Sequence, residues 1–179
     1  MKVLGKITIT PGGAVLNGQT LQQPQGEGDF LVQLYRGQCN DYPKFFKMDP
    51  LCRLGFLAAE ILLKPLPETH PDDLLLFSSN GSIVSDRRHQ ETISDPHNFF
   101  PSPAVFVYTL PNIVCGEIAI RHHITGETSC FLLPAADWQR MHRMAEIALQ
   151  ENGSSTALVG WLDHNGADDY LIDLELFKN

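Results

Sequence analysis

Four cysteines, at positions 39, 52, 115 and 130, are the strongest nucleophiles in this 179-residue sequence. Their spacing contains no C-x-x-C and no zinc pattern, so four free thiols packed as small hydrophobes in a reducing compartment are expected. Cys130 falls inside the apolar run 128–133, where a strand would keep it from the helix terminus that lowers a thiol pKa. Cys115, beside Gly116 on the helix expected after Pro111, is read as a packing residue. His122 and His123 are adjacent; on a helix they point about 100° apart and do not share a metal. A helix end, where imidazolium meets the dipole, accounts for them. His142 and Glu146 stand four apart, the spacing of a surface pair; a metal would need further ligands. Asp163-His164 and Asp168-Asp169 flank the last turn. A carboxylate beside an imidazole can tune a general base, but turn chemistry explains these residues as well. No G-x-S-x-G, P-loop or H-E-x-x-H occurs, and no metal or cofactor is implied.

The elements that must position these groups follow from composition and pattern. Hydrophobic residues make up 43% and charged residues 19%, which suits one soluble globular domain over 1–179. A net charge of −8 disfavours nucleic acid, whose phosphates call for excess Lys and Arg. No apolar run is long enough to cross a membrane, and the N-terminal residues resemble a strand rather than a leader, so a cytoplasmic protein is expected. Residues 3–10 read as a strand broken by Pro11-Gly12-Gly13, 17–29 as a loop, and 30–35 as a short helix or strand. Asp49 caps a helix over 49–64, with Pro50 at its first position, Leu51, Leu54, Ala58, Ile61 and Leu62 on one face, and Pro65 as its stop. Residues 74–79 fit a buried parallel strand. Residues 80–110 read as a long loop holding a helical turn, followed by a helix from Pro111 to about His123 and a strand over 128–133. A helix over 135–152 precedes strands at 156–163 and 169–177, joined through Asn165-Gly166. Alternation of strands with helices, closed by a strand pair, predicts an α/β fold with a mixed five-stranded sheet covered by helices.

Three stretches together resemble β-ketoacyl synthases. Tyr42 to Asp49 with its following helix, Leu74 to Gly81, and Ser102 to Asn112 occur in that family's order. The last has the form S-P-x-x-F-x-x-T-L-P-N, and Gly116 to Ile120 and Ile124 to Gly126 continue it. The resemblance spans about residues 1–163 and implies half of a thiolase-like fold, the N-terminal half. In that family a strand leads into a nucleophilic cysteine at a helix start, within T-A-C-x-S. Here 128–133 runs into Pro134-Ala135-Ala136-Asp137, so the nucleophile position falls at about Ala135, with no thiol or hydroxyl within reach of a small misalignment. The family's two histidines belong to the second half, which this sequence does not include. No catalytic residue is carried over.

The resemblance implies a non-catalytic ketosynthase-like protein, an accessory subunit of fatty-acid, polyketide or aryl-polyene type acyl-chain biosynthesis. In that family the strand before the nucleophile pairs across a dimer. Thr128, Ser129, Cys130, Phe131, Leu132 and Leu133 would form it here, in a homodimer or in a heterodimer with a ketosynthase, with acyl carrier protein as a further partner. An apolar patch exposed where the missing half would lie is expected to mark the partner site. Two other readings stand beside this one: a small acyl-thioester enzyme, a 3-oxoacyl-ACP synthase-like transferase or hydrolase with a non-standard site, and an acyl or small-molecule binding module.

Overall fold

A computed structural model describes residues 2–66, 69–97 and 99–179. The chain begins with β1 (Lys2–Thr10), whose Ile7 and Ile9 are buried on one side while Lys6 and Thr8 face the other. Two short strands follow, β2 (Gly13–Leu16) and β3 (Gln19–Gln22), joined by Asn17-Gly18. Both turn residues have positive φ, 51° and 79°, as a two-residue primed turn requires. This hairpin corrects the reading of residues 17–29 as loop. Its signal was the Asn-Gly pair, masked by the surrounding Gln, Gly and Pro.

Next come α1 (Phe30–Gln38), a short 3₁₀ turn at Pro43–Lys47, and α2 (Pro50–Leu63). Asp49 caps α2 as expected, its Oδ1 accepting the Cys52 N–H at 2.9 Å. The helix is buried nearly all round, beyond the one face that its periodicity indicates, because it lies between the sheet and α1. Then follow β4 (Asp73–Ser78), α3 (Ile83–Glu91), α4 (Pro103–Val107), α5 (Ile113–His122), β5 (Thr128–Leu132), α6 (Trp138–Asn152), β6 (Thr156–Gly166) and β7 (Asp169–Lys178). The predicted long loop over 80–110 thus holds two helices. The polar surface of α3, on which only Ser85 is buried, hid its helical period.

Among the described residues one mixed sheet holds seven strands, in the order β3-β2-β1-β7-β6-β4-β5. The α/β class stands; the strand number is seven rather than five. β4 pairs in parallel with both β5 and β6, and the other pairings are antiparallel. The larger core lies between the sheet and α1, α2 and α5; the smaller places α6 against Leu75, Phe77, Val159 and Phe177.

An ion-pair cluster ties α2 to α5. Arg121 donates from Nε to Glu60 Oε1 at 2.8 Å and from Nη2 to Oε2 at 3.0 Å and to Asp41 Oδ2 at 3.0 Å. Burial alone would raise the Glu60 pKa, but contact with His122 and Arg121 overrides it and holds the carboxyl at about 2. The folded pKa lies below the ordinary 4.5, so this contribution to stability is complete above that pH and is lost as pH falls towards 2.

Two substitutions test this packing. Leu54 is fully buried, so Leu54→Asp forfeits roughly 1.5–3 kcal/mol of apolar burial and adds a buried charge. Soluble expression is expected to disappear; a folded, cooperative melt would show that α2 is not buried this way. Glu60→Gln should lower the melting temperature at neutral pH and flatten its fall between pH 4.5 and 2; parallel wild-type and variant curves would contradict the ion-pair account.

Candidate functional site at the open sheet edge

β5 is the terminal strand on one side of the sheet. Its residues pair with β4 from Leu74↔Thr128 to Ser78↔Leu132. At one end Leu74 N–H donates to the Glu127 carbonyl at 2.7 Å; at the other Leu133 N–H donates to the Ser78 carbonyl at 2.9 Å. Groups bonded to β4 therefore fall on odd-numbered residues. By the two-residue repeat of a strand, Thr128, Cys130 and Leu132 turn their N–H and C=O groups to the open side. Leu133, expected as the last strand residue, lies just past the strand, is buried, and extends the ladder by one bond.

The side chains of β5 alternate between the two cores. Phe131 stacks on Phe77 with centroids 5.2 Å apart on the α6 side. Cys130 packs into the larger core near Cys115 of α5, whose thiol donates to the Ser129 carbonyl at 3.7 Å. Hydrogen bonding from the Cys115 thiol lowers the Cys130 pKa; hydrogen bonding to Cys130, together with burial, raises that of Cys115. Leu132 is 60% exposed at the strand's end. It approaches Gly81, where an added Cβ would lie 3.5 Å from Leu132 Cδ2 and 3.1 Å from Pro111 Cβ. Gly81 also has φ +54°, so both conformation and space favour glycine. From Pro111 the chain leads back to Leu110, Val107, Phe106, Phe100 and Phe99, all substantially exposed. The segment is held in place where the Ser82 hydroxyl donates to the Thr109 carbonyl at 2.5 Å and Ser102 caps α4.

Ala135 is exposed between β5 and α6. The predicted helix over 135–152 starts later, at Trp138: Asp137 is the N-cap, and its Oδ1 accepts the Arg140 N–H at 3.0 Å. Pro134-Ala135-Ala136 contains no residue that can accept an N–H through its side chain, so the first available cap sets the start.

On the α6 side, β1 and β7 present charge. Lys6 lies 2.9 Å from Asp173 and 3.1 Å from Glu175; Thr8 donates to Asp173 at 2.7 Å; His142 Nε2 is 3.0 Å from Glu175 Oε2. Lys6 also sits 4.9 Å over the Trp138 ring. His142 therefore pairs with β7, and the expected surface pair with Glu146 does not form; Glu146 takes Arg143 instead. Asp163, a candidate to tune His164, instead accepts bonds from Ser78 Oγ, Ser79 N and Ser79 Oγ, where it fastens the end of β4. Among the described residues no group of three or more His, Cys, Asp or Glu side chains is placed to hold a metal, and no helix is long and apolar enough to cross a membrane.

No protein-family model matches the sequence, and no curated protein matches it. Solved structures do match in fold. The ishigamide ketosynthase/chain length factor superposes with a TM-score of 0.65 at 16% identity, over 99% of this chain and 61% of that one. A ketosynthase in complex with its chain length factor from Xenorhabdus doucetiae gives 0.67 at 13% identity, over 99% and 78%. A type II ketosynthase assembly with its acyl-carrier protein gives 0.58 at 14% identity, over 98% and 62%. Nearly all of this chain thus matches about three-fifths to four-fifths of each of these proteins. The chain shares its α/β fold with these ketosynthase and chain length factor structures.

The loop geometry yields a prediction at Ala135. A cysteine there would lie three residues before the first helical residue, outside the field of the helix terminus. The thiol of Ala135→Cys should titrate near the ordinary ~8.5 and alkylate no faster than an exposed cysteine peptide. Marked hyper-reactivity would show that α6 activates this position.

Proposed function

We propose that this chain is a non-catalytic, ketosynthase-like subunit that pairs along β5 with a ketosynthase in cytoplasmic acyl-chain biosynthesis, in the manner of a chain length factor. The open outer edge of β5 carries the reading. An unpaired strand edge offers N–H and C=O groups that favour another strand, and proteins usually cover or charge such edges. Here the exposed edge residues are Thr128 and Leu132, neither charged, and exposed Leu110 lies beside Pro111 near its end. Aromatic residues such as Phe100 and Phe106 are the kind that anchor interfaces. Ala135 supports the non-catalytic part: it offers no sulfur or oxygen to attack a thioester. Two of the fold neighbours are described as a ketosynthase with a chain length factor, and another as a complex with an acyl-carrier protein, which makes a ketosynthase the first partner to try and a carrier protein the second.

The test is association with the ketosynthase of the same organism, measured by light scattering and titration. Thr128→Pro removes an outward N–H while leaving the bonds to β4, and Leu132→Lys charges the edge. Each should weaken the complex at least about tenfold without altering the melting temperature of the free chain by more than a few degrees. A wild-type chain that stays monomeric beside the ketosynthase, or variants that pair as well as wild type, would refute the edge reading.

A further inference from the structure

Two thiols meet where α5 crosses β5, and the edge pairing of β5 makes no use of them. The Cys115 thiol, 1% exposed, donates to the carbonyl of Ser129, the residue before Cys130, at 3.7 Å. Cys130 packs into the same core, and the Cys115 thiol hydrogen-bonds to it as well. The pair joins two elements, a helix and the terminal strand of the sheet. Neither cysteine is held in a disulfide.

Position makes the pair asymmetric. Cys115 is sealed in, whereas Cys130 is only half-buried. The packing of α5 accounts for the difference. One flank of the helix meets α2, where Arg121 reaches Glu60 and Val114 fills the space beside Gly55. Gly116, about 100° round the helix from Cys115, falls on the other flank, above the open edge of β5. A Cβ there would meet no described atom within 4 Å. β5 has no neighbouring strand on that side among the described residues. Small solutes therefore reach Cys130 from the sheet edge.

Acidity separates the thiols in the same sense, since the thiolate is the nucleophile. Hydrogen bonding from Cys115 lowers the Cys130 pKa. Burial pushes Cys39 up to about 12 and raises Cys52 also. Cys115 keeps its proton, because it donates to Cys130 and is buried.

We propose that Cys130 and Cys115 form a dithiol site for small hydroperoxides, Cys130 attacking and Cys115 resolving. The Cys130 sulfur attacks one peroxide oxygen, the O–O bond breaks, and the departing hydroxide takes a proton to become water. The sulfur, oxidised by two electrons, keeps a hydroxyl as sulfenic acid. The Cys115 sulfur then attacks the Cys130 sulfur. An S–S bond forms, the S–O bond breaks, and the hydroxyl leaves with the Cys115 proton as a second water. Two thiols have given up two electrons and two protons, and hydrogen peroxide has become two waters. The bridge ties α5 to β5, and cellular thiols reopen it by exchange. The site lies within one chain and does not depend on pairing along β5.

Hydrogen peroxide tests the site on the full chain, reduced and then freed of small thiols, at low protein concentration. Intact mass and non-reducing peptide maps give the readout. The wild type should lose two hydrogens and yield one linked peptide pair containing Cys115 and Cys130, which dithiothreitol separates. In Cys115→Ala the sulfenic acid at Cys130 should persist and be trapped by dimedone. In Cys130→Ala thiol loss to peroxide should slow at least about tenfold. Cys39→Ala should leave the bridge unchanged. Peroxide that leaves both thiols free, oxidises Cys39 or Cys52 first, or links only cysteines of separate chains would overturn the proposal. So would oxygen retained on Cys130 of the wild type with no bridge formed. The wild-type peptide map decides the matter should a variant fail to fold.

Discussion

Strand β4 is the constraint from which the arrangement follows. All six of its residues are buried, and it has parallel neighbours on both sides. Parallel strands need helical crossovers, so α5 must run between β4 and β5 on one face and α6 between β5 and β6 on the other. Both ends of β4 are fixed by carboxylates. Asp73 accepts the Glu127 N–H at 2.7 Å and so holds the start of β5 beside it; Asp163 gathers Ser78 and Ser79 at the other end. β5, whose strand neighbour among the described residues is β4 alone, is then left with one open side. The open edge results from how β4 is buried and fastened.

The sequence showed most of this framework where pattern and chemistry agreed. Asp49-Pro50 announced α2 and the run Leu74 to Phe77 announced a buried strand, whereas the closing pair expected to join through Asn165-Gly166 turns two residues later, at Ala167-Asp168, with Asn165 and Gly166 still inside β6. It concealed elements whose local cues competed. The Asn17-Gly18 turn sat among Gln, Gly and Pro residues that suggest a loop, and α3 lacks an apolar stripe because it lies on the surface with Ser85 alone buried. Helix α6 was placed too early because Ala135 and Ala136 favour helix, whereas the available cap is Asp137.

The candidate site was legible in part. Thr128 to Leu133 stood out as short, apolar and β-prone, but a position at the sheet edge depends on strand order, which one sequence does not encode locally. The apolar residues over 99–110 were visible in the sequence; their exposure was not, because burial depends on what packs over them. The pairing of His142 with Glu175 links residues 33 apart, beyond the reach of helix periodicity. Nδ1 of His164, buried without a hydrogen-bond partner among the described residues, belongs to the same class, since satisfaction of a buried group is a property of the packed molecule.

The charged network on the α6 side and the apolar segment near β5 bear on each other. A second body laid over β1 and β7 would have to cover Lys6, Asp173 and Glu175, and covering ion pairs costs desolvation that their mutual attraction often fails to recover. These groups already satisfy one another within the chain. Apolar exposure gathers instead over 99–110 and at Leu132. Association that buries the second surface gains area without stripping charges of water, and strand pairing at β5 would satisfy backbone groups at the same time. On this physical ground the edge, rather than the β1–β7 face, is the place where a partner costs the molecule least.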